Sequence, residues 1–136
     1  MIKQYDNSLA LVGRLLLAAL FLPAGIGKIA GFEGTVGYIA SVGLPLASLA
    51  AIAAVVVEVA GGLALIAGFR TRIAALVLAL FTLAASVFFH AYWAAPADQQ
   101  MVTELLFFKN IAVVGGLLML AAFGAGAWSL DARRKA

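Results

Sequence analysis

Hydrophobic positions run almost unbroken through four parts of this chain, at about residues 8–25, 46–68, 73–93 and 102–125. Each is near the roughly 20 residues that a helix needs to cross the hydrocarbon of a bilayer. Turn residues mark the cuts between them. Gly43 and Pro45 precede the second stretch, Gly68 to Arg72 separates the second from the third, and Pro96 breaks the chain before the fourth. Gly124 and Gly126 end that last stretch. The pattern predicts an all-α membrane protein, a four-transmembrane-helix bundle forming one domain over residues 1–136.

The first connection differs from the others. Within residues 25–43, Phe32, Val36, Ile39 and Ala40 recur at helical spacing, with Gly43 as a C-cap. This predicts a short amphipathic helix in the first loop, lying at the outer membrane interface or folding into the bundle mouth.

Composition sharpens the reading. Of 136 residues, 65% are hydrophobic and 11% charged, where a soluble domain carries about 25% charged residues. A surface that poor in charge needs lipid against it. The basic residues sit where they orient a membrane protein: Lys3 at the N-terminus, Arg70 and Arg72 in the second loop, and Arg133, Arg134 and Lys135 in the tail. Lys28 in the first loop is balanced by Glu33, and the third loop carries Asp98 with Glu104 nearby. The positive-inside bias places both termini and the second loop in the cytoplasm, N-in and C-in. The net charge of +3, distributed in this way, gives no nucleic-acid surface. A cleaved signal peptide is disfavoured because Arg14 interrupts the first apolar core and no small-residue cleavage site follows.

The chain has no cysteine and one histidine, His90. A disulfide framework, an iron–sulfur cluster, and haem ligation by two histidines of one protomer are excluded on that ground, and no zinc or other metal site is expected.

Ionisable groups inside hydrocarbon-length segments carry the chemistry, because each needs a partner or a wet cavity. Glu58 lies in the middle of the second stretch, on a face with Ala51, Ala54, Gly61, Gly62 and Leu65, small residues that let helices approach. Arg14, counted at ~1.5 Å per residue, falls about one turn nearer the cytoplasm and is its expected ion-pair partner. Lys28 continues the Arg14 face through Ala18, Phe21 and Gly25. His90 shares a slightly polar side of the third stretch with Ser86, Thr82 and Ala79. Lys109, with Asn110 beside it, shares a face with Leu105, Ala112, Val113 and Gly116, and either snorkels outward or turns into the bundle. These residues form a polar column: Arg14 low, Glu58 central, and Lys28, His90, Lys109 and Asn110 at the outer mouth. Phe88, Phe89, Tyr92, Trp93, Phe107 and Phe108 gather at that mouth, as an interfacial belt or as walls for a flat ligand such as a quinone.

Several motifs in order resemble the DoxX family of small four-helix membrane proteins. They are GKIAGF within Gly25 to Phe32, SVGLP from Ser41 to Pro45, and Glu58 followed by GGLALIAGFRTR from Gly61 to Arg72. FTL from Phe81 to Leu83, His90-Ala91-Tyr92-Trp93, FFKN from Phe107 to Asn110, GGLLML from Gly115 to Leu120 and SLD from Ser129 to Asp131 complete the pattern. The resemblance covers nearly the whole chain. It implies a multi-pass protein of the prokaryotic plasma membrane and a place in quinone-linked redox or in oxidative and quinone-stress chemistry. One relative of this kind is a membrane subunit of a thiosulfate:quinone oxidoreductase.

On this reading Glu58 and His90 form a proton relay, while Lys28, Lys109 and Asn110 bind the ligand, with quinone the expected cofactor. Electrons would come from a redox partner subunit or a bound reductant. Two alternatives stand beside it. One is a small anion or organic-solute transporter, working as a homo-oligomer, with Lys28 and Lys109 attracting the anion. The other is an accessory membrane subunit in which the polar residues only specify packing.

Overall fold

A computed structural model describes residues 5–134; the N-terminal Lys3 and the tail residue Lys135 lie outside them. The regular structure among the described residues is all helical. α1 (Asp6–Ala30) and α2 (Phe32–Ser41) are followed by α3 (Ala47–Ala67), α4 (Thr71–Phe89), a 3-10 turn (Tyr92–Ala94), α5 (Gln100–Phe123) and the short α6 (Leu130–Arg133). α1, α3, α5 and α4 with the turn that follows it are long and apolar enough to cross a membrane. The first helix is one and a half turns longer than its apolar run, continuing through Pro23 to Ala30. Lys28 is therefore a helical residue rather than a loop residue.

α1 packs along α3, α4 along α5, and α3 joins the two pairs. In lipid this association rests on van der Waals fit rather than on escape from water. Glycines set the α1–α3 distance. A Cβ on Gly25 would stand 2.7 Å from Val59 Cγ2 and 3.0 Å from Glu58 Cβ, and one on Gly62 would stand 3.0 Å from Leu22 Cβ. The apolar centre is small and aliphatic around Phe21: Ala18, Leu65, Ala75, Leu78, Ala79, Val114 and Leu117.

The buried faces of α1, α3 and α4 are those the spacing indicates. Arg14, Ala18, Phe21 and Gly25 are buried on α1, Ala51, Ala54, Glu58, Gly62 and Leu65 on α3, and Ala79, Thr82 and Ser86 on α4. α5 differs. Its buried stripe is Asn110, Val114 and Leu117, one residue round from the expected Lys109 face, and Leu105 is 67% exposed. Both faces of α5 are apolar, so hydrophobicity alone did not distinguish the packed one from the lipid-facing one.

The end of the bundle bearing both termini is closed by the segment after α5. Asn7 Oδ1 accepts from the Ala127 N–H at 2.8 Å, and the Asp131 N–H donates to Gly68 O at 2.8 Å. Ser129 caps α6 by accepting from the Ala132 N–H at 3.2 Å. The Asp131 carboxylate accepts from the N–H groups of Arg70 and Thr71 at 2.7 and 2.8 Å. It thereby caps the N-terminus of α4 and holds Arg70 in a left-handed conformation, φ 48°, rare for a residue with a side chain. Burial alone would push the Asp131 carboxyl up, but the hydrogen bonds from Thr71 and Arg70 and the nearby Arg134 charge hold it below the ordinary aspartate range.

Candidate functional site

The expected Arg14–Glu58 pair does not form. α1 and α3 run antiparallel, and their close approach places Gly25 level with Glu58 and Val59, and Leu22 level with Gly62. Glu58 therefore lies level with a point eleven residues beyond Arg14, about 16 Å along α1 at ~1.5 Å per residue. One turn beyond Gly25, Lys28 reaches it instead. The Lys28 ammonium stands 3.0 Å from Glu58 Oε1 and 2.9 Å from Oε2. Hydrogen-bond geometry is satisfied at Oε1 alone, and Oε2 has no directed donor. Counting from helix ends missed this because α1 outlasts its apolar run and because the register is set by glycine contacts.

Arg14 has a different fate. It is 1% exposed, and its guanidinium donates to Leu65 O at 3.0 Å and Ile66 O at 3.3 Å, carbonyls of the last turn of α3. A third bond runs to Trp128 O in the closing segment. The negative end of the α3 dipole and three carbonyls replace the missing carboxylate. The expected polar column is thus two separate sites, with Ala18, Phe21 and Leu65 of the apolar centre lying between them in sequence register.

The Lys28–Glu58 pair lines a cavity of about 510 Å³ that is open at the end opposite the termini. His90, Lys109 and Asn110 line the same cavity, so all four expected outer residues and the central glutamate meet around one void. Glu58 is 5% and Asn110 7% exposed, whereas the Lys28 side chain is 31% exposed. The acid is therefore enclosed and its cation reaches the opening. His90 terminates α4, its backbone N–H still bonded to Ser86 O at 3.1 Å.

The remaining wall is apolar, built largely from Phe21, Phe81, Phe88, Phe89 and small alanines. α2 folds over the opening: Ile39 is buried, and Thr35, Tyr38 and Ile39 line the cavity. The Tyr38 ring lies 5.2 Å from that of Phe89. This cover is one of the two placements the spacing allows; Tyr38 lies outside the apolar stripe that predicts the helix. The aromatic group divides into two. Phe88 and Phe89 face the cavity, while Tyr92, Trp93, Phe107 and Phe108 pack on one another beside it, with centroids 5.3–5.9 Å apart.

A site of this kind can hold a molecule with an apolar or aromatic body and hydrogen-bond acceptors at one end. Lys109, Asn110 and His90 are available as donors, and the carboxylate–ammonium pair can hold or release a proton.

Comparison with known proteins places the chain among relatives of the same size. Inner membrane protein YphA of Escherichia coli is 41% identical over 92% of this chain and 89% of its own length. Inner membrane protein YqjF of the same organism is 40% identical over 95% of this chain and 94% of its own length. A more distant similarity, 26% identity over 95% of this chain, covers only 42% of Surfeit locus protein 4 homolog of Drosophila melanogaster. No solved structure matches the chain. The DoxX family model matches residues 9–91, a span that runs from within α1 to just past the end of α4 and holds Arg14, Lys28, Glu58 and His90. The chain belongs to the DoxX family, as a multi-pass protein of the plasma membrane.

Proposed function

We propose that the cavity is the binding site of a lipid-soluble quinone or a related flat amphiphile, and that the chain is a membrane component of quinone-linked redox or quinone-stress chemistry. One observation carries this reading. A glutamate enclosed within a membrane-spanning helix shares a lysine with the opening of an aromatic-walled void of about 510 Å³, within the range of small-molecule pockets. A packing role alone would not need the void.

In this reading Phe21, Phe81, Phe88 and Phe89 hold the ring, and Lys109, Asn110 and His90 donate to its oxygens. Those bonds strengthen as negative charge develops on the oxygens. Two electrons and two protons convert a quinone to its quinol. Glu58 and Lys28, with His90 at the rim, hold and hand over protons, while a partner subunit or a second bound reductant supplies the electrons. Both termini lie on the cytoplasmic side by the positive-inside bias, which opens the cavity toward the outer leaflet.

The test is binding of a short-chain ubiquinone and menaquinone analogue to the purified protein, followed by tryptophan quenching and by the quinone content after mild detergent extraction. Lys109→Ala and Asn110→Ala are expected to weaken binding about tenfold each, on the order of one hydrogen bond. Saturable binding that neither substitution weakens would remove the site assignment. Absence of any binding would remove the quinone. Uptake of a small organic anion into vesicles by the protein alone would favour the transporter reading, to which the two lysines at the opening lend themselves.

A further inference from the structure

A second cavity, of about 550 Å³, lies at the opposite end of the bundle, where α4 begins and α5 ends. Arg70, Arg72 and Arg134 line it together with the turn Gly124–Ala127, and Ile73 and Phe123 form its apolar side. Gly124, at φ +86°, brings the turn against Arg72: a Cβ there would stand 3.5 Å from the Arg72 Nε. Arg134 rests its guanidinium 5.4 Å above the Phe69 ring.

Asp131 is the one acid on this wall, and its two oxygens are engaged by the Arg70 and Thr71 backbone N–H groups at 2.7 and 2.8 Å. Among the described residues the single ion pair is Lys28–Glu58, at the far end of the molecule. Three guanidinium groups against one carboxylate leave two positive charges in excess around the cavity. The three residues are exposed and all border this one concavity.

We infer that this cavity binds the phosphate headgroup of an anionic phospholipid from the leaflet beside the termini. A guanidinium matches two phosphate oxygens in a fork, and basic pockets between helices at this level are where anionic headgroups bind. The apolar side favours a lipid over a free anion. Phe123 is 76% exposed and Trp128 58%, marking the headgroup boundary. Below them Ile73, Leu76 and Leu80 present a continuous exposed face of α4, along which acyl chains can lie. A zwitterionic headgroup carries its own ammonium, which three arginines repel; a phosphatidylglycerol headgroup does not.

The test uses the full chain in detergent and native mass spectrometry, with titrations of phosphatidylglycerol, phosphatidylcholine and inorganic phosphate. Phosphatidylglycerol is expected to bind at least roughly tenfold more tightly than phosphatidylcholine. The preference should collapse in the Arg72→Gln, Arg134→Gln double variant while Lys109→Gln leaves it intact. Thermal unfolding of the wild-type protein should shift upward with phosphatidylglycerol and much less with phosphatidylcholine, a readout that stands even where the double variant folds poorly. Equal binding of the two lipids, or a preference unchanged in a folded double variant, would overturn the inference. Protection by inorganic phosphate as strong as that by phosphatidylglycerol would also overturn it and assign the cavity to a free anion.

Discussion

Arg14 and Glu58 are both ionisable, both almost fully enclosed and both carried on spanning helices, yet the bundle treats them in opposite ways. Arg14 is fixed by three backbone carbonyls, from two segments that converge at the end bearing the termini. None of those partners can rotate away without unwinding a helix end or opening the closing segment. Glu58 has one partner, the flexible Lys28, and both border a void. A charge held by three rigid acceptors at both of its terminal nitrogens stabilises one arrangement. A charge with one mobile partner beside a cavity can exchange that partner for a ligand or a proton. The first pattern is that of a structural rivet and the second that of a binding site.

The comparison breaks most visibly at Arg14. Arg14→Ala removes the cation from three carbonyls and empties the space it filled beside Gly68, where no Cβ would fit between Arg14 and Ser129. Lost bonds and a new void together cost about 3 kcal/mol or more. The expected result is a large fall in the detergent unfolding midpoint and faster proteolysis of the C-terminal segment. Arg14→Lys should recover only part, because an ammonium cannot reach acceptors on both sides as a planar fork does. A variant as stable as wild type would show that the carbonyl cage is not what holds this end.

Gly25 comes next, because it brings α1 and α3 close enough for Lys28 to meet Glu58. Gly25→Ala forces the new methyl against Val59 and against the Glu58 Cβ, with the Val59 backbone N at 3.1 Å leaving little freedom to yield. A cost of about 2 kcal/mol is expected. Ligand binding at the outer cavity should weaken with it, since separating the helices lengthens the Lys28–Glu58 contact. Gly27→Ala, with nothing within 4 Å, is the control and should change neither stability nor binding.

Glu58→Gln is expected to change stability by less than either, since the neutral amide removes the charge that Lys28 serves and keeps the shape. The ammonium left behind is 31% exposed and can turn toward the opening. Ligand binding and its dependence on pH should change, while the unfolding midpoint moves little, by under about 1 kcal/mol, because the lysine left behind is solvated. Should the midpoint fall as far as for Arg14→Ala, both charges would be structural and the distinction between the two sites would fail.

Much of this was legible in the chain and some was not, for identifiable reasons. Four apolar runs of spanning length located α1, α3, α4 and α5, because no soluble surface can be built from them. The small-residue face around Glu58 and the face from Arg14 to Gly25 on α1 both turned inward as their spacing required. His90, Lys109, Asn110 and Lys28 do border one void with Glu58. The partner of Glu58 was misassigned because pairing across two helices depends on register, and register here comes from contacts of Gly25 and Gly62 that hydropathy does not encode. Which face of α5 packs does not follow from its pattern, because its two sides are equally apolar. Asn7, Trp128 and Asp131 escaped notice as a closing device because a backbone carbonyl or N–H partner leaves no trace in residue type. Only the Ser129–Leu130–Asp131 triplet, with serine at an N-cap and aspartate in the first turn, carried a local signal for it.

The smallest expected effect concerns the Asp131 cap on α4, at the end that Arg14 closes. Asp131→Asn keeps one acceptor but removes the charge that the α4 N-terminus and Arg134 favour, and a loss of about 0.4 kcal/mol is expected. Because the folded protein holds this carboxyl below its ordinary value, the contribution is present above the unfolded aspartate value of about 3.9. It is lost as the pH falls through the folded value below that. The stability difference between wild type and Asp131→Asn should therefore be flat from about pH 5 to 8 and should close at lower pH. Measuring both proteins by chemical unfolding across that range separates the charge from the shape of the cap. A difference that persists unchanged to the lowest accessible pH would mean the carboxylate acts only as a hydrogen-bonding surface. The end bearing the termini would then rest on Arg14 without electrostatic help from Asp131.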